Sequence, residues 1–234
     1  MVFNSLTFLV FFTIVFLIYW FPLKNTTRGQ NIFLLLASYF FYGCERLTAL
    51  NVKGFQTKSV TTMRSMFYGC GLIKTLDLSS FNTAKVEDMS QMFESCDSLV
   101  TIYVGNGWST ESLTETNNGM FNGCFKLVGG SGTPQNSNNA GAEYARIDGG
   151  INSETPGYLT DKFKVIITAI DVSREYGEEN PEFGFTVDAV MGISGTPTIT
   201  CEATDTTSVG TYPISIAYEE ADINISLVNG KLTI

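Results

Sequence analysis

The chain has 234 residues, 44% of them apolar, with fourteen basic and twenty-three acidic side chains and a formal charge of −9. That length allows one or two domains and the apolar share allows a core. There is no histidine, which excludes Ser-His and Cys-His dyads and the commonest metal ligand. No basic aromatic stripe, phosphate-cradling glycine loop or G-x-S-x-G elbow is present, so nucleic acid is not an expected partner and neither an enzymatic activity nor a cofactor or metal is expected.

The charge is uneven. Residues 1–43 hold only Lys24 and Arg28, and residues 1–150 balance ten basic against ten acidic groups. Residues 151–234 hold four basic and thirteen acidic groups, so the whole net charge sits there. That end should stay soluble and avoid anionic surfaces.

Residues 5–23 contain no charge. As a helix they would reach about 28 Å, close to the ~30 Å hydrocarbon thickness, with Tyr19 and Trp20 at one end as an interfacial belt. The expectation is a membrane helix that anchors the chain. Lys24 and Arg28 come after it, which biases its C-terminal end toward the cytoplasm. Residues 31–42 are apolar again but reach only about 18 Å as a helix. They are expected either to sit partly in lipid or to lie on the repeats that start at residue 41.

Those repeats are regular. Phe41, Phe67, Phe93 and Phe121 are spaced by 26, 26 and 28 residues, and Cys44, Cys70, Cys96 and Cys124 each come three residues later. Behind each of the first three cysteines stands an apolar triplet: Leu47, Leu50, Val52; Ile73, Leu76, Leu78; Leu99, Ile102, Val104. This is the L-x-x-L-x-L phrase of a leucine-rich repeat. Each triplet predicts a short strand whose alternate residues face inward, with Asp77 and Ser79 facing out. Phe55 and Phe81 would plug the core, and Thr57 and Thr83 are candidate helix N-caps. The return segments, Val60-Met63-Met66-Phe67 and Val86-Met89-Met92-Phe93, have helical spacing. Stacked copies bury one another's apolar faces, and the cysteines are expected to form a reduced, buried column.

Residues 129–141 read as a Gly-, Ser- and Asn-rich loop, and Tyr144 to Tyr158 as a segment folding back over the end of the stack. From residue 162 the period changes to two. Phe163, Val165, Ile167 and Ala169 alternate with polar and apolar neighbours, as do Phe183, Phe185, Val187 and Ala189, and Ile223, Ile225 and Leu227. Asn229-Gly230 predicts a type I′ hairpin between Leu227 and Leu232. Pro213 marks a strand start or edge. A small antiparallel β-sandwich is expected, with Glu178, Glu179 and Glu182 on a solvated turn.

Three stretches resemble known families. Residues 1–9 (Met-Val-Phe-Asn-Ser-Leu-Thr-Phe-Leu) and 31–43 (Asn-Ile-Phe-Leu-Leu-Leu-Ala-Ser-Tyr-Phe-Phe-Tyr-Gly) resemble the start of a membrane-bound O-acyltransferase. Such enzymes have many helices and an essential histidine, so here the resemblance implies a non-catalytic fragment fused at residues 41–43. Residues 76–93, from Leu76-Asp77-Leu78 to Gln91-Met92-Phe93, resemble the BspA-type leucine-rich repeat of bacterial surface proteins. That resemblance extends over 41–161 and implies a cell-surface protein binding a host or bacterial surface protein or glycan. Tyr176-Gly177-Glu178-Glu179-Asn180-Pro181, Val209-Gly210-Thr211-Tyr212 and Asn229-Gly230-Lys231-Leu232 are similar to the MBG-type β domain, a module of surface stalks.

The expected organisation is multi-domain: a membrane segment (1–43), a leucine-rich-repeat α/β solenoid (41–128), its loop and C-terminal cap (129–161), and an all-β sandwich-like domain (162–234). The expected role is surface interaction or adhesion, with Lys74, Asp77 and Asp97 as candidate partner contacts. The alternatives are an acyltransferase remnant and a purely structural stalk.

Overall fold

The computed structural model describes residues 41–114 and 118–234. The chain divides after Asp161 into two compact units. The elements within the described residues are ten β-strands and one 3-10 turn.

The first unit is a stack of rungs. Strands β1 (Thr75–Leu78), β2 (Thr101–Val104) and β3 (Leu159–Asp161) form a parallel sheet in that order. Leu76 pairs with Ile102 and Leu78 with Val104, so the alternation that buries one side chain buries its counterpart on the next rung. The phenylalanine column is continuous. Ring centroids lie 5.9 Å apart for Phe41 and Phe67, 5.8 Å for Phe67 and Phe93, and 5.5 Å for Phe93 and Phe121. Phe67, Phe93 and Phe121 are wholly buried, as are Cys70, Cys96 and Cys124.

The return segments are not helices, so the expected α/β solenoid is corrected to a β one. An α-helix needs each N–H to reach the carbonyl four residues back. Here alternate N–H groups leave their own rung. Those of Met63, Ser65, Phe67 and Gly69 donate to the carbonyls of Asp88, Ser90, Met92 and Glu94 at 2.8, 3.0, 2.9 and 2.8 Å. The groups between them close tight turns: Met66 to Met63, Tyr68 to Ser65 and Cys70 to Phe67, at 3.2, 3.1 and 3.2 Å. Ser65, Gln91 and Ser95 take left-handed φ of 53°, 59° and 61°, as does Gly69 at 70°, and such residues interrupt a helix. Spacings of three, which resemble one face of a helix, arise equally from consecutive three-residue turns.

Thr57 and Thr83 accordingly cap nothing. Both are buried, and each hydroxyl staples two rungs. The Thr83 hydroxyl donates to the Ser109 carbonyl at 2.6 Å and accepts from the Ser109 N–H at 2.7 Å. Thr57 does the same with Asn82, at 3.0 and 2.7 Å.

The fourth rung is assembled from two pieces. Phe121, Cys124 and Leu127 continue the buried columns, and the Val128 N–H donates to the Val100 carbonyl at 3.0 Å. The chain then leaves the stack, and β3 returns to supply the strand, with Leu159 opposite Ile102. The excursion between them turns around Asp148, a buried carboxylate. One of its oxygens accepts the N–H groups of Ser131 and Thr133 at 2.8 and 3.0 Å. The other accepts the Thr133 hydroxyl at 2.5 Å and the N–H groups of Gly150 and Gly157 at 2.8 and 3.3 Å. Burial by itself raises the Asp148 pKa, but the bonds from Thr133, Gly150 and Ser131 outweigh it and hold the carboxyl below its ordinary range. Tyr158, fully buried, meets Phe121 edge-on at 5.2 Å, and Tyr144 stacks on Tyr158 at 4.8 Å.

The second unit is a two-sheet sandwich. One sheet has the order β6-β4-β9, from Phe185–Ala189, Lys164–Ala169 and Asn224–Val228. The other has the order β5-β10-β8-β7, from Val172–Ser173, Gly230–Thr233, Thr211–Ala217 and Thr198–Thr200. Val165, Ile167, Ile214, Ile216 and Leu232 form its core. The sheets are mixed rather than antiparallel, because β4 pairs with β9 and β10 with β5 in parallel. The Asn229-Gly230 hairpin does not form: β9 and β10 lie in different sheets, and Asn229 marks the crossing. Its side-chain oxygen accepts the Ile216 N–H at 3.2 Å. A Cβ on Gly230 would stand 2.8 Å from the Ala169 carbonyl oxygen, which is why this crossing takes glycine. Pro213 lies two residues into β8 and faces Lys231 of β10. Strand β7 pairs only with Ser215 to Ala217, so the missing N–H lies beyond that ladder.

Membrane anchoring by a helix is also corrected: among the described residues no helix is long and apolar enough to cross a membrane. Residues 5–23 and 31–40, on which that expectation fell, lie outside the described residues.

Candidate interaction face

In β1, β2 and β3 the residues between the buried positions face away from the core. Asp77 stands opposite Tyr103, and Tyr103 opposite Thr160. Thr75 and Thr101 form the neighbouring column. The result is a polar face with a half-buried aromatic ring at its centre.

Asp77 is held in place. One carboxylate oxygen accepts the Ser79 N–H at 3.2 Å and the Ser79 hydroxyl at 2.6 Å. The other lies 3.5 Å from the Lys53 ammonium of the preceding rung. The lysine side chain is 62% exposed, so solvent screens this pair and it contributes little to stability. Its effect is to fix where the charge sits. Lys74 is exposed immediately before β1, and its carbonyl accepts the N–H of Val100 at 2.8 Å. Asp97 is exposed too, but on the turn between Cys96 and Leu99, closed by the Leu99 N–H at 3.0 Å. The structure thus places Asp77 on the outward side of β1, Lys74 on the lead-in to that strand and Asp97 on the turn that precedes the next lead-in.

Tyr103 was missed, although a signal existed: it is the residue between buried Ile102 and Val104, outward by alternation. Tyr42 and Tyr68 were missed as well. They stack at 4.6 Å with rings 6° from parallel on the return side, a direct result of identical Phe-Tyr-Gly-Cys phrases one period apart. Arg146 is exposed and donates to the Glu143 carbonyl at 2.7 Å.

The cysteine column is chemically quiet. The thiols of Cys70, Cys96 and Cys124 donate to the carbonyls of Phe41, Phe67 and Phe93 on the preceding rungs, at 3.1, 3.1 and 2.9 Å. None of the five cysteines is in a disulfide. Burial and the neighbouring thiols push Cys70 well above the usual thiol range. The side-chain bond with Cys124, then burial, does the same for Cys96. Protonated, buried thiols are neither nucleophiles nor ready metal ligands. Among the described residues no three His, Cys, Asp or Glu side chains are grouped to hold a metal ion.

Comparison with known families gives two matches. Residues 36–140 match the family described as Mycoplasma protein of unknown function, DUF285. Residues 165–233 match the MBG domain of YGX type, which supports the resemblance drawn from Tyr176-Gly177 and the Asn229-Gly230-Lys231 phrase. Together they fit a surface-associated repeat protein. The matches do not support the BspA-type and acyltransferase resemblances. The first match begins at residue 36, inside the apolar stretch that resembles an acyltransferase. No curated protein and no solved structure matches the chain significantly.

Proposed function

We propose that the chain is a non-enzymatic, surface-associated interaction protein. Its repeat unit offers the outer face of β1, β2 and β3 to a protein or glycan partner, and its MBG-type unit serves as a spacer. The observation that carries this reading is the Asp77–Tyr103–Thr160 register. Three parallel strands hold an aromatic ring and a fixed carboxylate on one rigid plane, with Lys74 at its border. A rigid scaffold lowers the ordering cost of binding, and aromatic side chains dominate the energetics of such contacts. The finer assignment, adhesion to a host or bacterial surface through Lys74, Asp77 and Asp97, is part of the same proposal.

The test is cell binding by the full chain and by Lys74→Ala, Asp77→Ala, Asp97→Ala and Tyr103→Ala. Losses of tenfold or more at Tyr103 and Asp77, with smaller losses at Lys74 and Asp97, support the face. Binding that survives all four substitutions rejects it. If the parent chain binds no cells, the stalk reading replaces it.

A further inference from the structure

We propose that a cationic and apolar edge of the repeat unit docks the acidic 175–182 loop of a second copy of this chain, joining molecules head to tail.

The edge arises from the rung geometry. Every rung passes from its cysteine to the next buried aliphatic residue through a tight turn. Leu47, Ile73, Leu99 and Leu127 donate to the carbonyls of Cys44, Cys70, Cys96 and Cys124, at 3.0, 3.3, 3.0 and 2.9 Å. The two central residues of each turn stand outside, and the residue after the buried aliphatic leads into the sheet. At the second turn position the column reads Arg46, Leu72, Ser98, Lys126. At the lead-in it reads Thr48, Lys74, Val100, Val128. The lead-in column is tied by backbone bonds, Val100 N–H to Lys74 carbonyl at 2.8 Å and Val128 N–H to Val100 carbonyl at 3.0 Å.

Four large apolar side chains are exposed along these turns: Leu72 by 48%, Val100 by 41%, Phe125 by 70% and Val128 by 39%. Single exposed apolar residues are ordinary, but a contiguous set marks an interaction site. Arg46, Lys74 and Lys126 are interleaved with them. These three cations take part in neither the Lys53–Asp77 nor the Arg64–Asp88 ion pair. Glu45 and Asp97 occupy the first turn position on their own rungs; the cations hold the second position and the lead-in.

The complementary surface lies on the other unit. Residues 162–234 carry eleven acidic and four basic groups. Glu175, Glu178, Glu179 and Glu182 are exposed around Tyr176, itself 63% exposed. The cation beside them, Arg174, is buried and does not neutralise them. Its guanidinium donates to the Asn180 side-chain oxygen at 2.8 Å, to the Glu175 carbonyl at 2.9 Å and to the Thr204 carbonyl. The Asn180 amide in turn donates to the Ala203 carbonyl at 2.6 Å. The loop is therefore held in shape with its carboxylates facing solvent and an aromatic ring among them. Opposite charge steers the approach, and Tyr176 supplies the apolar contact that the edge calls for. An edge of one copy meeting a loop of another is a heterologous contact, which joins successive molecules of this chain.

The experiment is sedimentation velocity on the full chain across concentration and salt. Two variants accompany it: an edge reversal, Arg46→Glu with Lys126→Glu, and a loop reversal, Glu179→Lys with Glu182→Lys. The parent chain is expected to self-associate at low salt and to weaken at least tenfold as salt rises toward 1 M, where the Debye length falls to about 3 Å. Each reversed variant alone pairs like charge with like charge and should remain monomeric. Mixed, each offers the other an opposite-charged surface, and association should return. A parent chain that stays monomeric at low salt overturns the proposal. So does self-association that the reversals leave unchanged, or a mixture that fails to recover it; an intramolecular clasp would give the first of these results, a monomeric parent. Neither variant alters Lys74, Asp77, Asp97 or Tyr103, so the partner-binding face is tested separately.

Discussion

Replacing Asp148 tests whether one buried carboxylate holds the 129–158 excursion together. In Asp148→Asn, the oxygen facing the Thr133 hydroxyl, Gly150 and Gly157 is kept by the amide carbonyl. The second oxygen becomes an NH2 group that faces the N–H groups of Ser131 and Thr133, now donor against donor. Each lost bond to a charged, buried acceptor is worth about 1–2 kcal/mol, so the substitution should destabilise the first unit by roughly 2–4 kcal/mol. Asp148→Ala, which orphans all five donors, should cost more. Because the native carboxyl is held below its ordinary range, the sign of the pH dependence is fixed. The unfolded state binds the proton more readily, so the contribution is complete above an ordinary aspartate pKa of about 3.9 and is lost as pH falls below it through the native value. Urea titration of the parent and both variants at pH 7 and pH 3 measures this, with hydrogen exchange of residues 129–158 to locate the change. Two units can unfold in separate transitions, so the exchange data assign the shift. A loss under about 0.5 kcal/mol at pH 7, or the same loss at both pH values, would refute the reasoning.

Thr83→Val keeps the shape but leaves the part-buried Ser109 N–H and carbonyl without their partner; a loss of about 1–3 kcal/mol is expected, against little for Thr83→Ser, in chemical denaturation. In the folded chain, a thiol reagent at neutral pH should label the half-buried Cys201 and Cys44 well before Cys70, Cys96 and Cys124, which react only after unfolding; mass spectrometry of peptides reads the order. Gly230→Ala forces a Cβ to within 2.8 Å of the Ala169 carbonyl oxygen and should lower the stability of the second unit by about 1–3 kcal/mol, read as an earlier calorimetric transition.

The spacing of Phe41, Phe67, Phe93 and Phe121 was enough to read the stacking direction, the buried columns and the outward position of Asp77, because identical phrases one period apart must meet on neighbouring rungs. Tyr103 was legible by the same rule. What periodicity did not distinguish was helix from consecutive turns on the return side. Residues at intervals of three and four share a face in both, and the choice lay in whether Met63, Ser65, Phe67 and Gly69 bond within their own rung or to the next. Asn229-Gly230 failed for a related reason. Its local preference for a hairpin was real, but β9 found a better partner in β4 and β10 in β8.

By itself, then, the sequence determined what is repeated and what is buried: one column of four Phe and one of four Cys, inward leucines, and a change of period after residue 161. Only the tertiary structure decided where the backbone hydrogen bonds go. It turned two expected helix caps into inter-rung staples, built the fourth rung from residues 121–128 and 159–161, and gathered five donors around Asp148 from three stretches of chain. Side-chain polarity is written locally and survives any fold, whereas a backbone N–H carries no label, and its partner is fixed by whichever segment packs beside it.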